Sequence, residues 1–198
     1  MPKPAASKRI LDLTLIIATL PLWASAVGLL ALAVLACDGR PVFFPQPRVG
    51  RGNRRFVIWK LRTMTKDVDV SQRRPTALGQ RLRHHGLDEL PQLFNVLAGH
   101  MSLVGPRPLE PRDLDRLAQQ CPAFAQALGD RQALRPGLTG MAQVCNARGP
   151  ALTAALDAHY GRQWTLGLDL AILVRTAWIN VVGKRRGAQR VPPELAQT

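Results

Sequence analysis

The sequence predicts a mainly α-helical protein with a small β element (an α+β fold), in which a bent membrane hairpin of helices precedes a compact domain. Three observations support this prediction. Residues 13–36 carry no charged side chain, later segments have apolar residues at helical spacing, and only two short runs resemble strands. The predicted divisions are residues 1–38 for the hairpin, 39–182 for the compact domain and 183–198 for a basic tail.

The first element is the uncharged segment at residues 13–36. As a helix it extends about 36 Å at about 1.5 Å per residue, enough to cross a bilayer. Basic residues flank it on both sides, and the positive-inside rule therefore favours cytoplasmic locations for both ends. Pro21, close to Thr19, removes a backbone hydrogen bond and bends the helix. A re-entrant hairpin with its break at Thr19 and Pro21 fits both features, and a kinked spanning helix is the alternative.

Strands and helices are predicted in the compact domain from their apolar patterns. The predicted strands lie at residues 42–44 and 56–59. The predicted helices lie at residues 78–83, 88–98, 114–128 and 166–182. Pro122 should bend or break the third helix. The last helix is strongly apolar but contains Asp169, Arg175 and Asn180, which favours a position at the membrane interface or against the core over one that spans.

The overall charge is strongly positive, +14, and 46% of the residues are hydrophobic. This combination suits an anionic membrane surface, a polyanionic substrate or nucleic acid. Aromatic residues make up only 5% of the chain, which argues against single-stranded nucleic acid because its binding proteins stack bases on aromatic rings. The three cysteines have no metal-ligand spacing, which favours a reduced, cytosol-facing chain without zinc.

The residues best suited to chemistry are the adjacent carboxylates Asp88 and Glu89. Gly86 is predicted to end one helix and Pro91 to lie in the first turn of the next, which puts the pair at a helix N-terminus. Unpaired N–H groups there stabilise carboxylates and also bind phosphate. The pair suggests phosphoryl transfer with a divalent metal, one carboxylate acting as ligand and one as nucleophile. An N-cap aspartate beside a solvated glutamate is the alternative.

Four cationic side chains are predicted to bind phosphate around this pair: Lys60, Arg62, Arg83 and Arg107. Arg83 precedes the acidic pair by one short turn. Lys60 and Arg62 should project to the same side of the second strand, and Arg107 lies in a rigid loop at residues 105–108. Guanidinium groups bind phosphate through paired hydrogen bonds, and lysine supplies a compact charge. A solvated surface charge is the alternative for each residue taken alone.

Ordered blocks along nearly the whole chain form one recognisable pattern. They are KRILD at 8–12, GRPVFF at 39–44, KLRTM at 60–64, LDELPQLFNVL at 87–97, MSLVGPRP at 101–108 and RPGLTG at 135–140. With these blocks the chain closely resembles the bacterial sugar transferase family, the monotopic phosphoglycosyl transferases. The resemblance implies an enzyme that moves a sugar 1-phosphate from a UDP-sugar to undecaprenyl (polyprenyl) phosphate and releases UMP, which initiates synthesis of membrane-linked glycoconjugates.

The resemblance also implies how the residues act. Asp88 would attack the β-phosphorus and become a covalent phosphosugar aspartate. Glu89 would support metal or proton handling, and Mg²⁺ would bridge both carboxylates and the diphosphate. The family fold implies a re-entrant hairpin and interfacial helices around a cytosolic catalytic domain, at the cytoplasmic face of the bacterial inner membrane.

The resemblance sets the expected partners as well. They are a UDP-sugar, polyprenyl phosphate and the phospholipid membrane, with a homodimer left open and no nucleic acid. Because no large multi-span domain precedes the hairpin, the chain is expected to be the minimal catalytic unit. Which UDP-sugar it uses is left open.

The chain departs from the family pattern at several positions. His100 stands where the family usually has aspartate, Met141 replaces a usual tryptophan, and residues 142–149 deviate. Four further residues are predicted to contact substrate: Arg135, Gln143, Asn146 and Arg148. The alternative from another class is a non-catalytic basic protein that binds a membrane surface or nucleic acid, and it predicts indifference to Asp88→Asn.

Overall fold

The computed structural model describes residues 6–67, 69–182, 191 and 192. Its helices are α1 (Ala6–Ala18), α2 (Leu20–Asp38), α3 (Ala77–His85), α4 (Gln92–Leu97), α5 (Pro111–Gln120), α6 (Pro122–Ala133), α7 (Met141–Val144), α8 (Pro150–Arg162) and α9 (Leu166–Val182). Its strands are β1 (Phe43–Val49), β2 (Arg55–Leu61), β3 (Ser102–Val104) and β4 (Gly137–Thr139). The prediction of a mainly helical chain with a small β element is confirmed. The predicted tail at 183–198 lies outside the described residues except at 191 and 192.

The apolar segment is broken at Thr19, where α1 ends and α2 begins. Pro21 occupies the first turn of α2, where a missing N–H group leaves no helical hydrogen bond unmade. The Thr19 hydroxyl donates a hydrogen bond to the Leu15 carbonyl at 2.7 Å, and the Trp23 indole donates to the Ile16 carbonyl at 3.0 Å. The Leu15 carbonyl also accepts from the Thr19 backbone N–H at 3.1 Å, so the two side chains add hydrogen bonds to carbonyls of α1 at the break.

Two helices expose apolar faces. Among the described residues, α2 alone is long and apolar enough to cross a membrane by length and composition. Its side chains Leu22, Leu29 and Leu32 are more than half exposed. Along α9, apolar side chains spaced four residues apart form one exposed stripe that includes Val174 and Trp178. Exposed apolar surfaces of this extent are typical of proteins that contact lipid or another protein.

A buried cluster joins α1 to α8 and α9, and we call it the Asp169 cluster. The Lys8 ammonium lies 2.6 Å from Asp169 Oδ2, and both side chains are almost fully buried. The Tyr160 hydroxyl donates to Asp169 Oδ1 at 2.7 Å, and the Trp164 indole donates to Asp169 Oδ2 at 3.0 Å. Burial and the Asp169 charge raise the pKa of Tyr160, so its hydroxyl remains a donor. Asp169 thus lies in the core, which is one of the two positions, interface or core, that the sequence favours for this helix over a spanning one.

The strands form two separate pairs. The strands β1 and β2 form an antiparallel hairpin from Phe43↔Leu61 to Val49↔Arg55, longer than either predicted strand. The strands β3 and β4 are parallel, with Ser102 paired to Gly137. The sequence does not predict this second pair, because three-residue strands that are largely buried show no alternating pattern.

The main core surrounds the β3–β4 pair. Val96, Met101, Leu156 and Ile172 are at most 2% exposed and pack between α4, α8 and α9. The predicted break in the helix at residues 114–128 is confirmed, since two helices, α5 and α6, meet at Cys121. The break follows from Pro122, which begins α6 because it cannot donate the hydrogen bond that would continue α5.

Candidate active site

A cavity of about 520 Å³ lies beside the ends of β3 and β4 that lead into the Arg107 loop and α7. This volume is within the range of about 300–1,000 Å³ that small-molecule sites occupy. The cavity is lined by a turn before α4, by β2, and by α7 and α9. Its polar lining residues are Lys60, Arg83, His84, Asp88, Glu89, Arg107, Thr139, Gln143, Thr176 and Asn180.

The acidic pair is positioned by the turn that connects α3 to α4. Gly86 ends α3 in the left-handed conformation (φ 68°), as the sequence predicts. Leu87–Glu89 then forms a single 3₁₀ turn, and α4 begins only at Gln92. The prediction of a helix from residue 88 is therefore wrong, because Pro91 starts the helix rather than lying within it. The carboxylates precede α4 and are held by the turn, not by its first helical residues.

Asp88 is buried, with 7% of its surface exposed, and lines the cavity. Burial, and then the charge of Glu89, raise the pKa of Asp88, while Lys60 and Arg83 lower it in part. None of the ion pairs in the described part of the chain includes Asp88. It is therefore a desolvated carboxylate whose oxygens are not held by a cation.

Glu89, in contrast to Asp88, forms ion pairs with two cations. Its Oε1 atom lies 2.8 Å from Lys60 Nζ and 3.2 Å from Arg107 Nη2. Burial disfavours its charged form, but Arg107 and Lys60 together outweigh burial and lower the pKa of Glu89. The two adjacent carboxylates thus have different roles in the site: Glu89 fixes two cations in place, and Asp88 remains available.

Arg107 is held by its backbone as well as by Glu89. The Arg131 guanidinium donates hydrogen bonds to the Arg107 carbonyl and to the Asp157 carboxylate, and the Arg131–Asp157 pair is almost fully buried. Gly105 allows the loop to approach the chain before β4 closely, because a Cβ there would lie 2.3 Å from the Arg135 carbonyl oxygen. Arg131 is absent from the predicted site residues, since nothing in the sequence of α6 distinguishes it from a solvated arginine.

Three of the four predicted phosphate-binding cations reach the cavity. Lys60 extends from β2, and Arg107 extends from its loop, so both meet at Glu89. Arg83 extends from the last turn of α3, and its Nη1 atom contacts the Met64 sulfur at 3.3 Å. Arg83 is exposed and has no carboxylate partner in the described ion pairs, so its charge remains free for a ligand.

Arg62 does not line this cavity. Its buried guanidinium donates hydrogen bonds to the carbonyls of Asp38 and Gly39 at 2.5 and 2.7 Å, at the end of α2. The expectation that it shares a side with Lys60 assumes a strand through residue 62. The strand β2 ends at Leu61, so the alternation no longer applies there.

Three of the four predicted substrate contacts do not line this cavity. Arg135 lines a separate cavity near the β1–β2 connection. Asn146 and Arg148 lie in the exposed turn after α7, where Asn146 has a positive φ of 51°. The resemblance that suggested them is weakest in this segment, since residues 142–149 depart from the family pattern.

Gln143 is the predicted substrate contact that does reach the cavity. Both its amide nitrogen and its amide oxygen are buried without a hydrogen-bond partner among the described residues. Such groups cost free energy unless a ligand or water satisfies them. Thr176 and Asn180 of α9 also line the cavity, one helical turn apart, and neither is among the predicted site residues. Asn180 is a signal that could have identified this face of α9, because it is a polar residue in an apolar segment.

The donor set at Asp88 and Glu89 fits Mg²⁺ that arrives with a substrate. No group of three His, Cys, Asp or Glu side chains that could hold a metal occurs in the residues the structure describes. Mg²⁺ is usually held by one or two carboxylates together with substrate phosphates, so a complete protein site is not required. Asp88, with no cation partner, offers the freer oxygens of the pair.

Comparison with known proteins identifies the family. The bacterial sugar transferase family matches residues 3–183. The chain is 41% identical over 184 residues to the UDP-glucose:undecaprenyl-phosphate glucose-1-phosphate transferase of Caulobacter vibrioides, covering 85% of this chain and 67% of that protein. It is 38% identical over 192 residues to the undecaprenyl-phosphate glucose phosphotransferase of Komagataeibacter xylinus, covering 85% of this chain and 35% of that protein.

A third relative is named for a different sugar. The chain is 33% identical over 191 residues to the UDP-N-acetylgalactosamine-undecaprenyl-phosphate N-acetylgalactosaminephosphotransferase of Aeromonas hydrophila, covering 89% of this chain and 44% of that protein. The chain thus spans less than half the length of this relative and of the Komagataeibacter protein. The match extends from α1 through α9 and includes every residue that lines the cavity. The chain belongs to the bacterial sugar transferase family.

Proposed function

We propose that this chain transfers a sugar 1-phosphate from a UDP-sugar to undecaprenyl phosphate and releases UMP. The observation that carries the proposal is the contrast between the two carboxylates: Asp88 is buried, lines the cavity and has no ion-pair partner among the described residues, while Glu89 holds two cations beside it. Family relatives are named for this reaction with glucose and N-acetylgalactosamine, so the sugar itself is not specified.

In the first half of the reaction, an oxygen of Asp88 attacks the β-phosphorus of the UDP-sugar. A bond forms between that oxygen and phosphorus, and the bond from phosphorus to the oxygen that bridges the α- and β-phosphates breaks. UMP leaves with that electron pair, and the sugar phosphate remains on the aspartate as an acyl phosphate. In the second half, a phosphate oxygen of the lipid attacks the same phosphorus, and the Asp88 carboxylate is regenerated.

The cations make the approach of two anions feasible. Lys60 and Arg107 are fixed by Glu89 at 2.8 and 3.2 Å, so they need no reorganisation when charge develops on the phosphate oxygens. Arg83 is exposed on α3 and can contact whichever phosphate enters. Mg²⁺, held by Asp88 and Glu89 with the diphosphate, would supply further charge neutralisation.

The proposal includes the position of the chain in the membrane. We place α1 and α2 as a re-entrant hairpin in the cytoplasmic leaflet of the bacterial inner membrane, with the exposed stripe of α9 at the interface. Support comes from the helix break at Thr19, the exposed apolar side chains of α2, and basic residues on both sides of the apolar segment. The cavity then opens near the headgroups, where a polyprenyl phosphate presents its charge.

The test is UMP release by the full chain in lipid nanodiscs with Mg²⁺, undecaprenyl phosphate and a panel of UDP-sugars. Asp88→Asn removes the nucleophile at nearly constant volume and should reduce turnover by about 10⁴-fold or more. Asp113→Asn, which changes an exposed carboxylate in α5, is the matched control and should leave turnover unchanged. Without the lipid acceptor, the wild-type chain should release one equivalent of UMP and gain the mass of a sugar phosphate on Asp88.

Two results would contradict the proposal. Turnover of the Asp88→Asn variant at the wild-type rate would exclude Asp88 as the nucleophile. Steady UMP release without any mass gain on the protein would keep the overall reaction but overturn the covalent aspartate.

A further inference from the structure

A second cavity, of about 620 Å³, lies apart from the candidate active site. In the part of the chain that the structure describes, the two cavities have no lining residue in common. The second is formed by the turn between β1 and β2 and by the residues that precede β3 and β4. We call it the arginine cleft, and its charged and aromatic lining residues are Arg51, Arg54, Arg55, Phe56, His100 and Arg135.

The positive charge of the arginine cleft is not neutralised. No carboxylate lines it, and none of its four arginines takes part in an ion pair among the described residues. Glu194 is the only acidic residue outside the described ranges. Burial, and then the nearby charges of Arg9 and Arg51, lower the pKa of Arg135. Positive charges brought together in a concave surface favour binding of an anion.

The lining residues indicate which anion fits. Guanidinium groups present paired N–H donors that match the oxygens of a phosphate. Among the described residues that line the cleft, Phe56 is the only phenylalanine, tyrosine or tryptophan. Its ring centroid lies 5.9 Å from that of the His100 ring, so part of its face is already covered. Nucleic-acid bases would need more stacking surface than this. The cleft therefore suits a phosphate group rather than a base.

The position of the cleft indicates where that phosphate comes from. Arg9 of α1 lies against the cleft wall, because a Cβ at Gly99 would be 3.6 Å from its Nη2 atom. The next residue, Ile10, is 64% exposed, and the uncharged segment begins three residues further on. The cleft thus adjoins the polar end of the apolar segment, which is the level of phospholipid headgroups in a bilayer.

We propose that the arginine cleft binds a phosphate group, supplied by the headgroup of an anionic phospholipid such as phosphatidylglycerol. The phosphate site stands on the cleft itself, whereas the lipid source rests on the proposed membrane position. The strands β3 and β4 both start beside the cleft and lead toward the candidate active site. A bound headgroup would therefore fix the position of the active site relative to the membrane surface.

The test is binding to the full chain in a neutral detergent, measured by calorimetry. The probes are short-chain phosphatidylglycerol, short-chain phosphatidylcholine and inorganic pyrophosphate. All variants carry Lys60→Ala, Arg83→Ala and Arg107→Ala, which removes the three cations that the candidate active site offers to an anion. The cleft variant adds Arg51→Ala and Arg55→Ala. The matched control adds Arg112→Ala and Arg162→Ala, two exposed arginines outside both cavities.

Phosphatidylglycerol should bind with defined stoichiometry, more tightly than phosphatidylcholine. The cleft variant should bind it at least about tenfold more weakly, and the control should bind it unchanged. Pyrophosphate binding that depends on the cleft, without phosphatidylglycerol binding, would support the phosphate site and overturn the lipid source. Equal binding by the cleft and control variants, or no binding of any probe, would overturn the proposal. None of these outcomes bears on the transferase reaction, because that reaction is tested separately by the Asp88→Asn variant.

Discussion

The Asp169 cluster should contribute strongly to stability, and Asp169→Asn tests this. The change keeps the shape of the side chain but removes the direct ion-pair partner of the buried Lys8 ammonium, 2.6 Å away, and leaves Asp12 as a nearby carboxylate. It also replaces the charged acceptor of the Tyr160 and Trp164 hydrogen bonds with a neutral one. Both effects destabilise the folded state, because a buried charge without a partner has lost its hydration.

The expected magnitude follows from burial. The side chains of Lys8 and Asp169 are 9% and 1% exposed, so the pair belongs to the buried class, where removing one partner costs about 3–5 kcal/mol. For a chain of this length, each kcal/mol lowers the unfolding midpoint by about 2–4 °C, which gives a decrease of roughly 6–20 °C. Asp113→Asn is the control, because its pair with Arg116 is exposed and contributes at most about 1 kcal/mol.

The assay is thermal unfolding of the full chain in neutral detergent, followed by tryptophan fluorescence. Adding Lys8→Met to Asp169→Asn removes the stranded ammonium and should recover part of the lost midpoint. If Asp169→Asn lowers the unfolding midpoint no more than Asp113→Asn does, the Lys8–Asp169 ion pair is not shielded from water and the reasoning fails. If Lys8→Met brings no recovery, the cost arises from the Tyr160 and Trp164 bonds instead.

Three further predictions concern the candidate active site, and a fourth concerns Arg62. Burial and Glu89 raise the pKa of Asp88, and only the ionised carboxylate attacks, so kcat/KM should fall with decreasing pH at values above the ordinary aspartate range. Arg83→Ala removes a charge that lowers this pKa, so the acidic limb of the pH profile should move to higher pH; an unmoved limb would mean that another group titrates. Gln143→Leu should raise KM for the UDP-sugar about tenfold, because its amide has no described protein partner and is free for substrate, with little change in the unfolding midpoint. Arg62→Met should do the reverse, lowering the midpoint with KM unchanged, since its guanidinium binds the carbonyls that end α2; a raised KM would restore its predicted phosphate role.

Local sequence rules were sufficient for the parts of the site that depend on nearby residues. Gly86 ends α3 and the acidic pair follows within three residues, so their proximity to Arg83 could be predicted. Lys60 and Arg107 were assigned from a strand and a proline-bounded loop, and the structure does bring both to Glu89. In each case the position of the side chain follows from the backbone of its own element.

Other features depend on packing between distant segments and could not be predicted in this way. Arg131 and Asp157 are 26 residues apart and meet only because α6 packs against α8. Arg135 precedes β4, and it lines the arginine cleft rather than the active site because β3 and β4 run in parallel, a pairing that the sequence pattern does not reveal. Arg62 shows a different failure, since a strand rule was extended one residue beyond the end of the strand.

The connection between α1 and β3 limits how this protein can be engineered. The buried Asp12 carboxylate accepts hydrogen bonds from the Ser102 hydroxyl at 2.7 Å and from the Leu103 amide at 3.2 Å, and Leu103 lines the cavity. A truncated variant that starts after Thr19, made to obtain a water-soluble catalytic fragment, would leave these buried donors without an acceptor. Solubilisation is better attempted by replacing the exposed leucines of α2 and keeping α1 in full, since the first helix forms part of the enzyme's interior.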